Sequence, residues 1–112
     1  MPRRPRAELV FLYTTLPDQA AADGLARHLI EKKLAACVNI VPGVVSHYVW
    51  DGALERSGEV IVLIKTRRQL LAAARAEVVA RHPYETPALL VLPIEDVNDA
   101  YLRWALGETR EA

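Results

Sequence analysis

One cysteine, Cys37, stands alone among 112 residues, so no intrachain disulfide framework can form and a reducing, cytoplasmic setting is expected. Net charge is missing too: 14 Lys and Arg balance 14 Asp and Glu. That removes the basic footprint that nucleic acid or an anionic membrane demands. No apolar run approaches the roughly 20 residues of a membrane-spanning helix. The five glycines are isolated from one another, which excludes a phosphate-cradling loop. There is no histidine pair at i, i+4, no Cys-x-x-Cys, no serine in an elbow-type turn and no histidine beside Cys37. A metal centre and a nucleophile–base pair therefore lack any local signature.

What the chain has in abundance is apolar character, at 52% of its residues, the opposite of a disordered composition. Size scaling gives about 18,000 Å² exposed when unfolded and about 6,200 Å² when folded. One domain spanning 1–112 follows, with an ordered core over about 7–106. An Arg- and Pro-rich arm (1–6) and a polar tail (107–112) flank it.

Residues 9–13 are apolar on both faces and read as a central strand. Residues 14–18 read as a helix start, with Pro17 and Asp18 suited to a first turn. Ala22, Leu25, Ala26, Leu29 and Ile30 then make one helical stripe. Gly24 inside it suggests a close approach by another element. Residues 36–41 and 44–50 read as one long strand bent at Pro42-Gly43. Asp51-Gly52 is a strong hairpin signal because both positions need positive φ, and the return strand runs over 54–66. A second amphipathic helix over 69–81 stops before Pro83. A fourth strand over 89–92 and a short helix over 98–106, burying Tyr101, Leu102 and Trp104, complete the chain.

The order β-α-β-β-α-β predicts an α+β, ferredoxin-like sandwich with an antiparallel sheet in the order 4-1-3-2. Both main helices lie on one face in that architecture, so the other face should turn polar. Residues 9–13, 60–64 and 89–92 do not alternate. The surplus predicts an obligate homo-oligomer that packs apolar sheet against apolar sheet, with the long second strand as an edge to be covered.

Candidate functional residues are few. Glu59 and Lys65 close the two ends of the apolar run in the third strand, where each needs a partner, solvent or a pocket. Tyr48 and Trp50 share one side of the second strand and serve as interface anchors or cleft walls. His82 ends the second helix ahead of Pro83-Tyr84, placed to answer the helix dipole. His28 and His47 are expected at the surface, with an interface as the other place for His47, and Cys37 as a buried inert thiol. The aliphatic third strand argues against the RNA-binding use of this fold.

The run Ala35-Ala36-Cys37-Val38-Asn39-Ile40-Val41-Pro42-Gly43, with Ser46, Tyr48, Trp50 and Gly52, resembles the signature of the CutA (divalent-cation tolerance) family. So do Ile64-Lys65-Thr66, His82-Pro83-Tyr84 with Pro87, Leu92-Pro93, and Tyr101-Leu102 with Trp104. The resemblance implies a homotrimer of PII-like architecture that takes part in divalent-metal tolerance without catalysis. It implies weak binding of copper or another divalent cation, not required for folding, and no partner besides itself, nucleic acid and membrane included. Of the family's metal positions only His82 is kept, since the others read Tyr13 and Arg81; Ala53 and Ala88 also depart from the usual Lys and Glu. As an alternative, the PII-like likeness implies a sensor holding a small anion in an intersubunit cleft. That cleft would be lined by Tyr48, Trp50, Glu59, Lys65, His82 and Tyr84, with Lys65 as the point charge.

Overall fold

Thr14, fully buried, sits opposite Val62, and Leu16 opposite Val60, so strand β1 (Leu9–Leu16) runs three residues beyond the expected 9–13. The helix start expected over 14–18 rests on Pro17 and Asp18 and does not extend back to the two threonines, whose β-branched side chains suit a strand interior. Helix α1 (Gln19–Glu31) starts instead at Asp18, whose carboxylate accepts the Ala21 N–H at 2.8 Å as an N-cap. The computed structural model describes residues 8–111; the expected N-terminal arm, 1–6, lies outside the described residues. Strands β2 (Cys37–Trp50) and β3 (Ala53–Arg67) form a long hairpin. Its Asp51-Gly52 turn has φ of 51° and 77°, the positive pair anticipated from sequence. A single 3-10 turn (Arg68–Leu70) leads into helix α2 (Leu71–Arg81), followed by strand β4 (Leu90–Pro93) and helix α3 (Asp99–Glu108).

The sheet is antiparallel in the order β2-β3-β1-β4, which is the expected 4-1-3-2 read from the other edge. Leu12, Leu16, Val62 and Ile64 point toward the two long helices and pack with Leu25, Leu29, Leu70, Ala74 and Val78. The odd-numbered residues of β1 and β3 take the opposite face. There the register lays out rows across the sheet: Leu92–Phe11–Lys65–Cys37, then Leu90–Tyr13–Leu63–Asn39, then Thr15–Ile61–Val41.

Helix α3 covers only one end of that second face. Its fully buried Ala105 packs with Leu9 and Ala36, supported by Tyr101, Leu102, Ile94 and Val97, whereas Trp104, expected inside, is 48% exposed. The expected polar tail is also corrected here. Gly107 and Glu108 are helical, and Thr109 is buried. The Arg67 guanidinium reaches from the end of β3 to the Thr109 hydroxyl (2.9 Å) and to the carbonyls of Leu106 (2.5 Å) and Thr109 (3.1 Å). It thereby satisfies carbonyls that a helix end leaves without partners. The Arg110 N–H adds a bond to the Lys33 carbonyl at 2.9 Å.

Beyond Val60, among the described residues, the β2–β3 hairpin has no third strand beside it. It projects as an arm and stretches the molecule to 51 × 33 × 23 Å. A register shift between Val41 and Val44 bends β2 at its root, where Gly43 has φ of 78°. Val49 and Leu54 on the arm are 66% and 79% exposed. Among the described residues no helix is long and apolar enough to cross a membrane.

Gly24, expected to admit a close neighbour, has none: a Cβ built there meets nothing within 4 Å. Gly24→Ala should therefore stabilise α1 by about 0.5–1 kcal/mol through reduced unfolded-state freedom. A rise in urea midpoint at fixed protein concentration checks this; a fall would mean that assembly crowds that helix face.

Candidate functional site

The connection between α2 and β4 must carry the chain from the helix layer to the edge of the sheet, and it does so across the end of β1. His82, the last cap of α2, turns its ring onto that strand. Its Nε2–H donates to the Thr15 carbonyl at 2.9 Å, with the Thr14 hydroxyl 3.0 Å from the same nitrogen. On the other side of the ring Nδ1 accepts the Tyr84 N–H at 3.2 Å. A carbonyl can only accept and an amide N–H can only donate, so these partners fix the neutral Nε2–H tautomer.

Tyr84 continues the line. Its ring lies 4.9 Å from that of His82 between centroids, and its hydroxyl donates to Glu59 Oε2 at 2.7 Å. Glu59 is the first β3 residue past the Leu16–Val60 pair, so the Tyr84 hydroxyl meets β3 just where β1 ends, at the root of the arm. Burial raises the Tyr84 phenol above its ordinary pKa, and the Glu59 carboxylate it bonds pushes it the same way. Burial lowers the His82 pKa from 6.5, a trend opposed by the Thr15 carbonyl and the Glu59 charge.

That depression has a sign for stability. Above pH 6.5 the unfolded imidazole is already neutral and the contribution is complete. As pH falls from there through the lowered folded value, the unfolded chain takes up the proton first and the contribution is lost. Urea midpoints from pH 7.5 down to 5 should fall more steeply for the parent than for His82→Gln. Parallel curves would show that His82 does not couple to folding in this window.

Of the residues singled out from sequence, the structure brings together Glu59, His82 and Tyr84. Tyr48 lies on the same side of the arm, where its hydroxyl meets the Ser57 hydroxyl at 3.2 Å. Trp50 sits farther out, beside the turn. Lys65 is elsewhere: six residues along β3 separate it from Glu59, about 20 Å at strand spacing. Its ammonium rests 5.8 Å from the Phe11 ring centre and 5.5 Å from that of Tyr101, beneath α3. Within one chain Lys65 therefore reaches neither Glu59 nor the His82–Tyr84 line and packs against Phe11 and Tyr101 instead.

Sequence reasoning missed Thr14 and Thr15 as partners of His82. The only signal was a strand reading through Leu16. It also missed that His28 bonds Glu77 across the two long helices. That bond holds the Glu77 carboxyl below its ordinary value, helped by the charges of Lys32, His28 and Arg81. Cys37 is half-buried on the second face, with the Asn39 amide 3.8 Å from its sulfur.

The donor set was tested against the divalent cation expected at His82. A first-row metal site wants about four N, S or O donors. Here one imidazole has both nitrogens committed to backbone, and one carboxylate oxygen accepts from a phenol. Among the described residues no three of His, Cys, Asp and Glu converge. The residues of a single chain do not fit a bound copper ion, because a cation at His82 must first displace a bond that holds the fold.

The architecture and this hydrogen-bonded line define a small ferredoxin-like α+β protein with a projecting hairpin, a half-covered sheet face and a structural strut at the root of the arm. Residues 10–108 match the family model described as CutA1 divalent ion tolerance protein, and the chain belongs to that family. It is 43% identical to the divalent-cation tolerance protein CutA of Pectobacterium atrosepticum, over 98% of this chain and 100% of that one. It is 44% identical to the chloroplastic CutA 1 protein of Oryza sativa over 92% of this chain, which corresponds to 58% of the rice protein's length. The crystal structure of CutA1 from Oryza sativa superposes with a TM-score of 0.90 at 42% identity, covering 96% of this chain and 98% of that one.

Proposed function

We propose that the chain acts in divalent-cation tolerance as a non-catalytic homotrimer. The observation that carries this reading is the uncovered half of the second sheet face. Leu90, Tyr13, Leu63, Ile61 and Val41 form an apolar surface there, on the same side as Tyr48 and Trp50 of the arm, while Val49 and Leu54 are exposed on the arm's other side. A patch of this character is not left in water by a stable protein. Copies of the same chain, with zero net charge, can approach one another without repulsion. Copper binding, in this reading, needs donors from more than one chain. The experiment is size exclusion with light scattering at micromolar concentration: about three times 12.5 kDa supports the trimer, and 12.5 kDa itself overturns it.

A further inference from the structure

We infer that His82 is a positioning residue that holds Tyr84 against Glu59 at the root of the β2–β3 arm, and that it is not a divalent-cation ligand of this chain. Three observations carry this. Both ring nitrogens are spent, Nε2 on the Thr15 carbonyl and Nδ1 on the Tyr84 N–H. The residue it fixes, Tyr84, ends in a bond to Glu59, at the point where the arm loses β1 as a neighbour. Among the described residues no three of His, Cys, Asp and Glu gather where they could complete a metal shell with it. His82 therefore links β1 to the loop and the loop links to the arm, so that the imidazole braces the angle at which the arm leaves the sheet. The importance of that angle for self-association rests on the trimer reading, whereas the tests below are made at Tyr84, at the arm and on copper itself.

A glutamine at 82 can donate to Thr15 and accept from Tyr84, but it cannot titrate and binds copper poorly; an alanine can do neither. Hydrogen exchange should find the Tyr84 amide protected in the parent and in His82→Gln, and exchanging about tenfold faster or more in His82→Ala, since that amide then opens locally. Cu²⁺ added to parent and His82→Gln should give the same electron paramagnetic resonance spectrum. A nitrogen coupling present in the parent and lost in a folded His82→Gln overturns the ligand half. A protected Tyr84 amide in His82→Ala overturns the positioning half. Should the alanine variant not fold, Tyr84→Phe decides the strut: amides of residues 53–59 should exchange faster than in the parent, and unchanged exchange overturns it.

Discussion

Leu63→Glu is expected to leave a folded single subunit of 12.5 kDa where the parent self-associates. Leu63 sits in the middle row of the second sheet face, between Tyr13 on β1 and Asn39 on β2, just past the reach of α3. In an isolated subunit a carboxylate there still meets water, so the fold survives. Against a second apolar sheet the same carboxylate must be desolvated with no cation to pair with it. That costs several kcal/mol in each contact, enough to shift an association constant by several powers of ten. Circular dichroism should show an intact sheet and light scattering a lower mass. A variant that keeps the parent's mass would remove this face from the contact.

Arg67→Ala should cost about 2–3 kcal/mol and detach the end of α3 first. Three bonds from one guanidinium meet there, and hydrogen bonds to charged groups are worth about 1.5–3 kcal/mol net, with an unpaired carbonyl adding to the loss. Thr109, buried and otherwise bonded only within its own helix end, would lose its tie to the sheet. Arg67→Lys should recover little, because the bonds leave from two nitrogens of a planar fork, Nε and Nη2, whereas an ammonium donates from a single point. Trp104, on α3, reports the detachment as a fluorescence change preceding the main urea transition. A loss below about 0.5 kcal/mol, the scatter of ordinary surface substitutions, would mean that packing of Ala105 against Leu9 suffices to hold the helix.

Much of the fold was legible because it is written in periodicities. The failure of Val60-Ile61-Val62-Leu63-Ile64 to alternate placed β3 at the centre of the sheet, and Asp51-Gly52 fixed the hairpin. The end of β1 was misread because a buried Thr14 satisfied by a histidine 68 residues away leaves no local mark. For the same reason the tail looked polar and free: Thr109 is buried only because Arg67 comes to it. The site was half legible. Glu59 stands out at the end of an apolar run and Tyr84 only through the His82-Pro83-Tyr84 motif of the family likeness, but their meeting depends on where β1 stops and how residues 82–89 cross that end, which no spacing encodes. The PII-like likeness groups Lys65 with them in a cleft between subunits; within one chain six residues of strand keep it apart.

The irregularity between Val41 and Val44 reaches further than a bend. Before it, the odd residues Cys37, Asn39 and Val41 line up with the odd residues of β3; after it, the even residues Val44, Ser46, Tyr48 and Trp50 do. One extra amino acid thus resets the phase of the pleat for everything distal. Removing Gly43 would restore plain alternation from Val41 through Pro42 to Val44 with the pairs of the arm unchanged, so Tyr48 and Trp50 would keep their side and only the bulge would be lost. The extra residue therefore acts on the course of the strand: a bulge bends it and strengthens its twist, so a one-residue change at this position re-aims the arm toward a neighbouring copy while each side keeps its own side chains.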